Sequence, residues 1–235
     1  MDGFYEKVQQ SAAYILERCA QRPTCGIVLG SGLGSLVDKM TDKTVIPYAD
    51  IPHFPRSTVA GHAGNLVVGT LAGQTVAALQ GRFHYYEGFS MKEVTYPVYV
   101  MKLLGVKTLV VTNACGGIDR SLVPGDLMLL TDHINMLGTN SLIGPNDERF
   151  GVRFPDMTEA YSLRLRELAK TVARRAGHPL QGGGIRHFLR PVLRDRRRDP
   201  RLPRVGGGRH RHVHRAGIHR GQLSGAGGAG HRLHH

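Results

Sequence analysis

The stretch GRFHYYEG, Gly81 to Gly88, sets Arg82, His84, Tyr85, Tyr86 and Glu87 between two glycines. A strand-like run, Thr75 to Gln80, leads into it, and a helical pattern from Met91 to Leu104 follows it. A cationic, aromatic and acidic cluster therefore falls at the C-terminal end of a strand. In open α/β sheets that is where ligands bind. Arg82 offers a planar fork matched to an oxyanion, and His84 adds a donor. The other reading of the same residues is a polar loop closed by one internal ion pair.

Upstream, Phe4, Val8, Ala12, Ile15 and Leu16 recur at helical spacing, which predicts a helix over residues 3–20 ended by Pro23. The short apolar strand Gly26 to Leu29 runs into GSGLG, Gly30 to Gly34. A strand, a glycine turn and a helix start leave backbone N–H groups open to an anion, and Ser31 could add a hydroxyl. A plain glycine turn is the alternative, and neither a Walker loop nor a full dinucleotide fingerprint is present. Residues 46–58 hold Pro47, Pro52 and Pro55 and read as irregular surface chain delivering GHAG, Gly61 to Gly64. His62 there either reaches a ligand or is simply solvated. Leu66 to Leu71 and Thr75 to Leu79 read as a hairpin around Ala72-Gly73.

Downstream, VKTLVVT, Val106 to Thr112, is a buried-strand pattern entering NACGG, Asn113 to Gly117, a second strand-to-glycine turn. Leu127 to Leu130 is another strand ending in Thr131, Asp132 and His133, which reads as a proton relay or as a hydrogen-bonded strand end. Residues 144–162 form a long irregular loop leading to a helix that Thr158 caps and Gly177 stops. Tyr161, Leu163, Leu165, Leu168 and Val172 give this helix an apolar face. Phe150 and Phe154 on the loop must bury, in the chain's own core or in a neighbouring subunit's pocket.

At 235 residues the chain has the size of one α/β domain. No apolar run is long enough to span a bilayer, and the N-terminus MDGFYEK does not read as a signal peptide. Cys19, Cys25 and Cys115 have no metal-ligand spacing, and their odd number fits a reducing cytosol. The formal net charge of +13 is unevenly spread: residues 182–235 hold 13 Arg, no Lys and two acids, and so carry +11 of it. This tail has one aromatic residue, Phe188, so it has charge without a stacking surface for nucleic acid. Two compositional regimes meet near Gly182, dividing the chain into residues 1–181 and 182–235.

With GSGLG, GHAG, GRFHYYEG, TNACGG and GPNDERFGVRFPDM in this order, residues 4–180 closely resemble the trimeric purine nucleoside phosphorylases. The resemblance implies a mixed α/β sheet partly closed into a barrel and flanked by helices. It implies phosphorolysis of purine nucleosides to free base and (deoxy)ribose 1-phosphate, as in purine salvage, with inorganic phosphate as co-substrate and no metal or other cofactor. Carried over, Ser31, Arg82, His84 and the backbone N–H of Ala114 would hold phosphate. Tyr86 and His62 would face the ribose, and Asn113 would form the floor of the site. Glu87 would orient the cluster, and Phe154 would be lent to a neighbouring subunit in a homotrimer. Where the family pattern has alanine, this chain has Cys115. Methylthioadenosine phosphorolysis and nucleic-acid binding through the tail are the alternative functions.

The family's GPxYET-like, GMST-like and later Asn segments do not appear in residues 182–235, so its C-terminal elements are missing from this chain. Read one base out of register from Gly184, with free choice of third bases, the codons behave differently. Ile185 to Arg190 can give YATSSG, Pro191 to Leu202 PCYETAAEIRAF, and Gly208 to Gln222 DAIGMSTVPESIVAN. The purine-binding Glu would then be encoded across Arg194 and Asp195, and a phosphate-binding Ser across Val213 and His214. A frameshift in the glycine codons of Gly182 to Gly184 is therefore expected, leaving a disordered tail and an inactive chain.

Overall fold

Cys25–Leu29 forms strand β1, and the site is built around its C-terminal end. In this computed structural model residues 3–56, 63–117, 119, 121–178, 180–187 and 212–220 are described, with 186–187 and 212–220 by backbone alone. The other strands are β2 (Thr41–Pro47), β3 (Asn65–Leu71), β4 (Gln74–Gln80), β5 (Thr108–Gly116), β6 (Leu127–Asn135), β7 (Leu180–His187) and β8 (His212–Arg220). The α-helices among the described residues are α1 (Phe4–Arg18), α2 (Met91–Leu103) and α3 (Leu163–Arg175). The sheet order is β2-β3-β4-β1-β5-β8-β6-β7. β1 runs parallel to β4 on one side and to β5 on the other. The predicted hairpin is β3–β4, with Leu71 paired to Gln74 and the turn residues Ala72 and Gly73 at φ 49° and 75°.

The expected partial barrel is not what forms. The described edge strands β2 and β7 share no ladder, so the sheet stays open, whereas closure needs a bonded first and last strand. The sheet is mixed as expected: β8 lies antiparallel to β5 and parallel to β6, and β6 is parallel to β7. Within the basic tail, 182–187 and 212–220 are thus strand backbone, and the rest lies outside the described residues.

Strand alternation fills both faces. Leu66, Val68, Ala77 and Leu79 point into one core with Val8 and Ile15 of α1 and Val100, Met101 and Leu104 at and beyond the end of α2. Val67, Val76 and Ala78 point the other way, with Ile27, Leu29 and Val37. Burial on both faces is why the central strands read as apolar runs. α2 starts on a reciprocal cap, in which Ser90 Oγ accepts from the Glu93 N–H and Glu93 Oε2 from the Ser90 N–H. Phe150 buries in the chain's own core, edge-on to Phe4 and Tyr99. Lys102 Nζ donates to the Phe150 carbonyl at 3.0 Å and ties this loop to α2; burial pulls the amine down to about 8.

Several boundaries differ from the sequence reading. α1 stops at Arg18, because Cys19 is already extended, five residues before Pro23. Part of the proline-rich segment is strand: β2 tolerates Pro47 because it is a sheet edge. β5 runs on through Asn113–Gly116, and β6 runs on to Asn135, because β8 and β7 extend the ladders. Asp132 Oδ1 accepts the His133 backbone N–H at 2.7 Å, the hydrogen-bonded reading of that pair. α3 is capped by Ser162, whose Oγ accepts from the Leu165 N–H, whereas the Thr158 N–H is taken by Asp156. Of the apolar positions in α3 only Leu165 is buried; Leu163, Leu168 and Val172 are 52%, 53% and 54% exposed.

Candidate active site

The parallel register brings three chain segments to one edge. Leu29 pairs with Gln80 and Val28 with Val111, so Gly30 after β1 and Gly81-Arg82 after β4 lie beside Thr112-Asn113 within β5. Gly30 is the hinge of this edge. A Cβ there would lie 2.8 Å from the Thr112 carbonyl oxygen, 2.9 Å from Asn113 Cα and 3.0 Å from Arg82 Nη1. Only glycine lets the turn pass so close to β5 and the guanidinium. The Gly30 N–H donates to Thr112 Oγ1 at 2.8 Å, and that hydroxyl donates to the Val28 carbonyl at 2.9 Å. Thr112, a buried hydroxyl in an apolar strand, therefore staples the turn to β5. Its role was missed in the sequence; the polar residue closing VKTLVVT was the available signal.

Arg82 Nη1 donates to the Thr112 carbonyl at 2.7 Å, and its Nε donates to His84 Nε2 at 3.1 Å. Burial is the main influence on Arg82 and draws its pKa below the usual guanidinium value. The group nevertheless stays cationic. Behind the imidazole, Glu87 Oε1 takes both the His84 backbone N–H at 2.9 Å and Nδ1 at 2.5 Å. Those contacts place the ring proton on Nδ1 and leave Nε2 to accept from Arg82. The Glu87 side chain is 4% exposed and that of His84 15%, so the pair is well shielded and geometrically fixed. Tyr86 stacks on the His84 ring, centroids 4.7 Å apart and planes 22° apart, with its outer part in solvent.

The structure thus unites Arg82, His84, Glu87 and Tyr86 with the Ser31 turn and with Asn113 and Ala114 on β5. Ser31 is exposed on its turn, and Asn113 and Ala114 are half-buried. His62 lies outside the described residues. Phe154 stands apart: it is 85% exposed and lines a surface groove with Leu142, Ile143 and Met157. Among the described residues no group of three His, Cys, Asp or Glu side chains could hold a metal ion, and no helix is long and apolar enough to cross a membrane. Chemically, the edge combines a fixed guanidinium, a backed imidazole and backbone N–H groups from a glycine turn. That set suits a compact multi-oxygen anion.

This fold and edge define a protein of the phosphorylase superfamily, whose family model matches residues 24–196. Within that superfamily the chain belongs to the purine nucleoside phosphorylases. It is 57% identical over 176 residues to purine nucleoside phosphorylase 1 of Geobacillus stearothermophilus, covering 75% of this chain and 64% of that one. It is 50% identical to purine nucleoside phosphorylase of Bos taurus, covering 74% and 61%. The chain thus spans a little under two thirds of these relatives' length. Among solved structures, Schistosoma mansoni purine nucleoside phosphorylase isoform 2, in complex with cytosine and ribose-1-phosphate, superposes with a TM-score of 0.77 at 43% identity. That match covers 82% of this chain and 70% of that one. The Schistosoma mansoni enzyme in a complex with BCX-34 gives a TM-score of 0.77 at 40% identity, covering 91% and 86%.

Replacing Gly30 with alanine forces the added methyl into β5 backbone. We expect a loss of about 1–3 kcal/mol of stability, measured by urea unfolding, as for other over-packed sites. Unchanged stability would show that the turn can move away from β5.

Proposed function

We propose that, in an in-frame version of the protein, this site binds inorganic phosphate and a purine nucleoside and supports phosphorolysis. A phosphate oxygen bonds to the anomeric carbon as the bond to the purine nitrogen breaks. The purine leaves with the electron pair and takes up a proton. The carrying observation is the buried Arg82 guanidinium, held by the Thr112 carbonyl and by a His84 ring that Glu87 backs. Ser31, Arg82, His84 and the Ala114 N–H hold the phosphate, Asn113 floors the site, and Tyr86 and His62 face the sugar. Positive charge develops on the sugar in the transition state, and a phosphate fixed beneath it stabilises that charge while attacking. The protein's part is positioning, with phosphate as co-substrate and no metal or other cofactor in the scheme. Named relatives carry this activity in their names, and solved neighbours include ribose-1-phosphate and inosine complexes. We place the activity in cytoplasmic purine salvage. In an in-frame version of the protein, Arg82→Ala should lower kcat/KM for inosine by the equivalent of about 1.5–3 kcal/mol or more. Wild-type turnover in that variant removes Arg82 from the site.

The assembly we propose is a homotrimer in which Phe154 reaches a neighbour's sugar pocket. Its support is an aromatic ring 85% exposed on a loop whose other phenylalanine, Phe150, is buried. Sedimentation of the in-frame protein should give a trimer, and Phe154→Ala should raise KM for nucleoside. A fully active monomer overturns this.

We also propose that residues after Gly183 are translated out of frame. Support comes from the charge step at Gly182 and from similarity to the bacterial relative that extends over 176 residues. The β5–β8 register adds to it. Val213 and His214 stand opposite Cys115 and Ala114, so a serine encoded across them would lie beside the Ala114 N–H. The chain with this tail is then inactive, because base-binding and phosphate-binding groups are replaced. Resequencing the locus should show a one-base error in the glycine run. An error-free read there, or phosphorolysis by this chain, overturns the proposal.

A further inference from the structure

Tyr48 has no part in the scheme above, yet it contacts the residues on both sides of Arg82. It opens the short turn Tyr48–Asp50 after β2 and is 2% exposed. Its phenol donates to the Gly81 carbonyl at 2.8 Å. Its ring packs on Phe83, centroids 5.5 Å apart, and on Phe54 at 5.4 Å. Gly81 and Phe83 are the two residues that flank Arg82. On the other side of Tyr48, its backbone N–H donates to the Gly64 carbonyl at 2.7 Å, and the Gly64 N–H donates to the Gln80 carbonyl at 3.0 Å. Gly64 is the last residue of GHAG.

We propose that Tyr48 is a positioning residue for the anion site, bracketing Arg82 and registering the end of the GHAG segment against it. The inference rests on the phosphate reading of the site. Arg82 reaches the Thr112 carbonyl and His84 only if its own backbone is fixed, and a carbonyl before it and a ring after it are both held by one buried side chain. Burial raises the Tyr48 phenol far above its usual pKa, so it remains a donor throughout the physiological range. Loss of the hydroxyl leaves the Gly81 carbonyl without that donor in a site closed to water, which favours a shift of residues 81–83.

The test uses the full chain, with inorganic phosphate as probe. Tyr48→Phe removes only the hydroxyl, and Phe54→Leu loosens the same core without touching Gly81. Two quantities are read by NMR and calorimetry, alongside urea unfolding: solvent exchange of the Arg82 Nε–H and the Kd for phosphate. Tyr48→Phe should speed the exchange and weaken phosphate binding, each by up to about tenfold, the scale of one hydrogen bond. Phe54→Leu should lower stability with both quantities near wild type. Placing 4-aminophenylalanine at position 48 restores a donor and should restore both. Wild-type exchange in Tyr48→Phe, or an equal change in Phe54→Leu at matched stability, overturns the proposal. Altered exchange with unchanged phosphate affinity overturns the link to the anion site. A wild-type chain that binds no phosphate counts against the phosphate reading only if the in-frame protein also binds none, and in either case the exchange rate still decides the role of Tyr48.

Discussion

Everything at the site depends on how closely the turn after β1 can approach β5. With no side chain at Gly30, the backbone comes within van der Waals contact of Thr112 and Asn113, and its N–H reaches the Thr112 hydroxyl. The same closeness leaves the Thr112 carbonyl free to face Arg82 rather than a side chain from β1. A methyl group at position 30 would occupy space that Arg82 Nη1 borders at 3.0 Å. One missing Cβ therefore sets both the spacing of the sheet edge and the seat of the cation. Parallel pairing does the rest: β1 and β4 end level with Thr112 of β5, which runs on beyond them.

A guanidinium drawn into the protein needs acceptors, and those described here include two neutral ones, a carbonyl and an imidazole nitrogen. The carboxylate stands one step back, on the far side of His84. That order matters for anion binding. A carboxylate directly on Arg82 would neutralise it and compete with an incoming oxyanion. Placed behind the ring, Glu87 fixes the imidazole while leaving the cation's field turned toward the sheet edge. The Tyr86 ring laid on His84 shields one face of the imidazole and limits its rotation.

Much of this could be read from residue order, and the failures have physical causes. GRFHYYEG was legible because cation, imidazole and carboxylate fall within one turn, where local geometry alone joins them. The β3–β4 hairpin was legible because its turn is two residues long. Thr112 and Tyr48 were not, since their partners lie 82 and 33 residues away and only the folded sheet supplies them. β2 was hidden by a proline, Pro47, that an edge strand tolerates, and the ends of β5 and β6 were hidden because pairing partners from residues 180–187 and 212–220 lengthen them. The barrel expectation came from family likeness, and closure is a property of the whole strand set rather than of any motif.

Net charge is a poor guide to where this protein handles anions. The tail holds 13 arginines, but count alone fixes no geometry, and a charged group in water is screened within about 10 Å at ordinary ionic strength. Arg82 is a single cation, but its orientation is set by three strands, a carbonyl and a backed imidazole. Preorganisation is what converts charge into selective binding: the cost of ordering the group is met when the sheet folds, before any ligand arrives. By that reasoning a chain could lose most of its surplus positive charge and keep its anion site, whereas loss of the short contact between Gly30 and β5 would remove the site with the charge untouched.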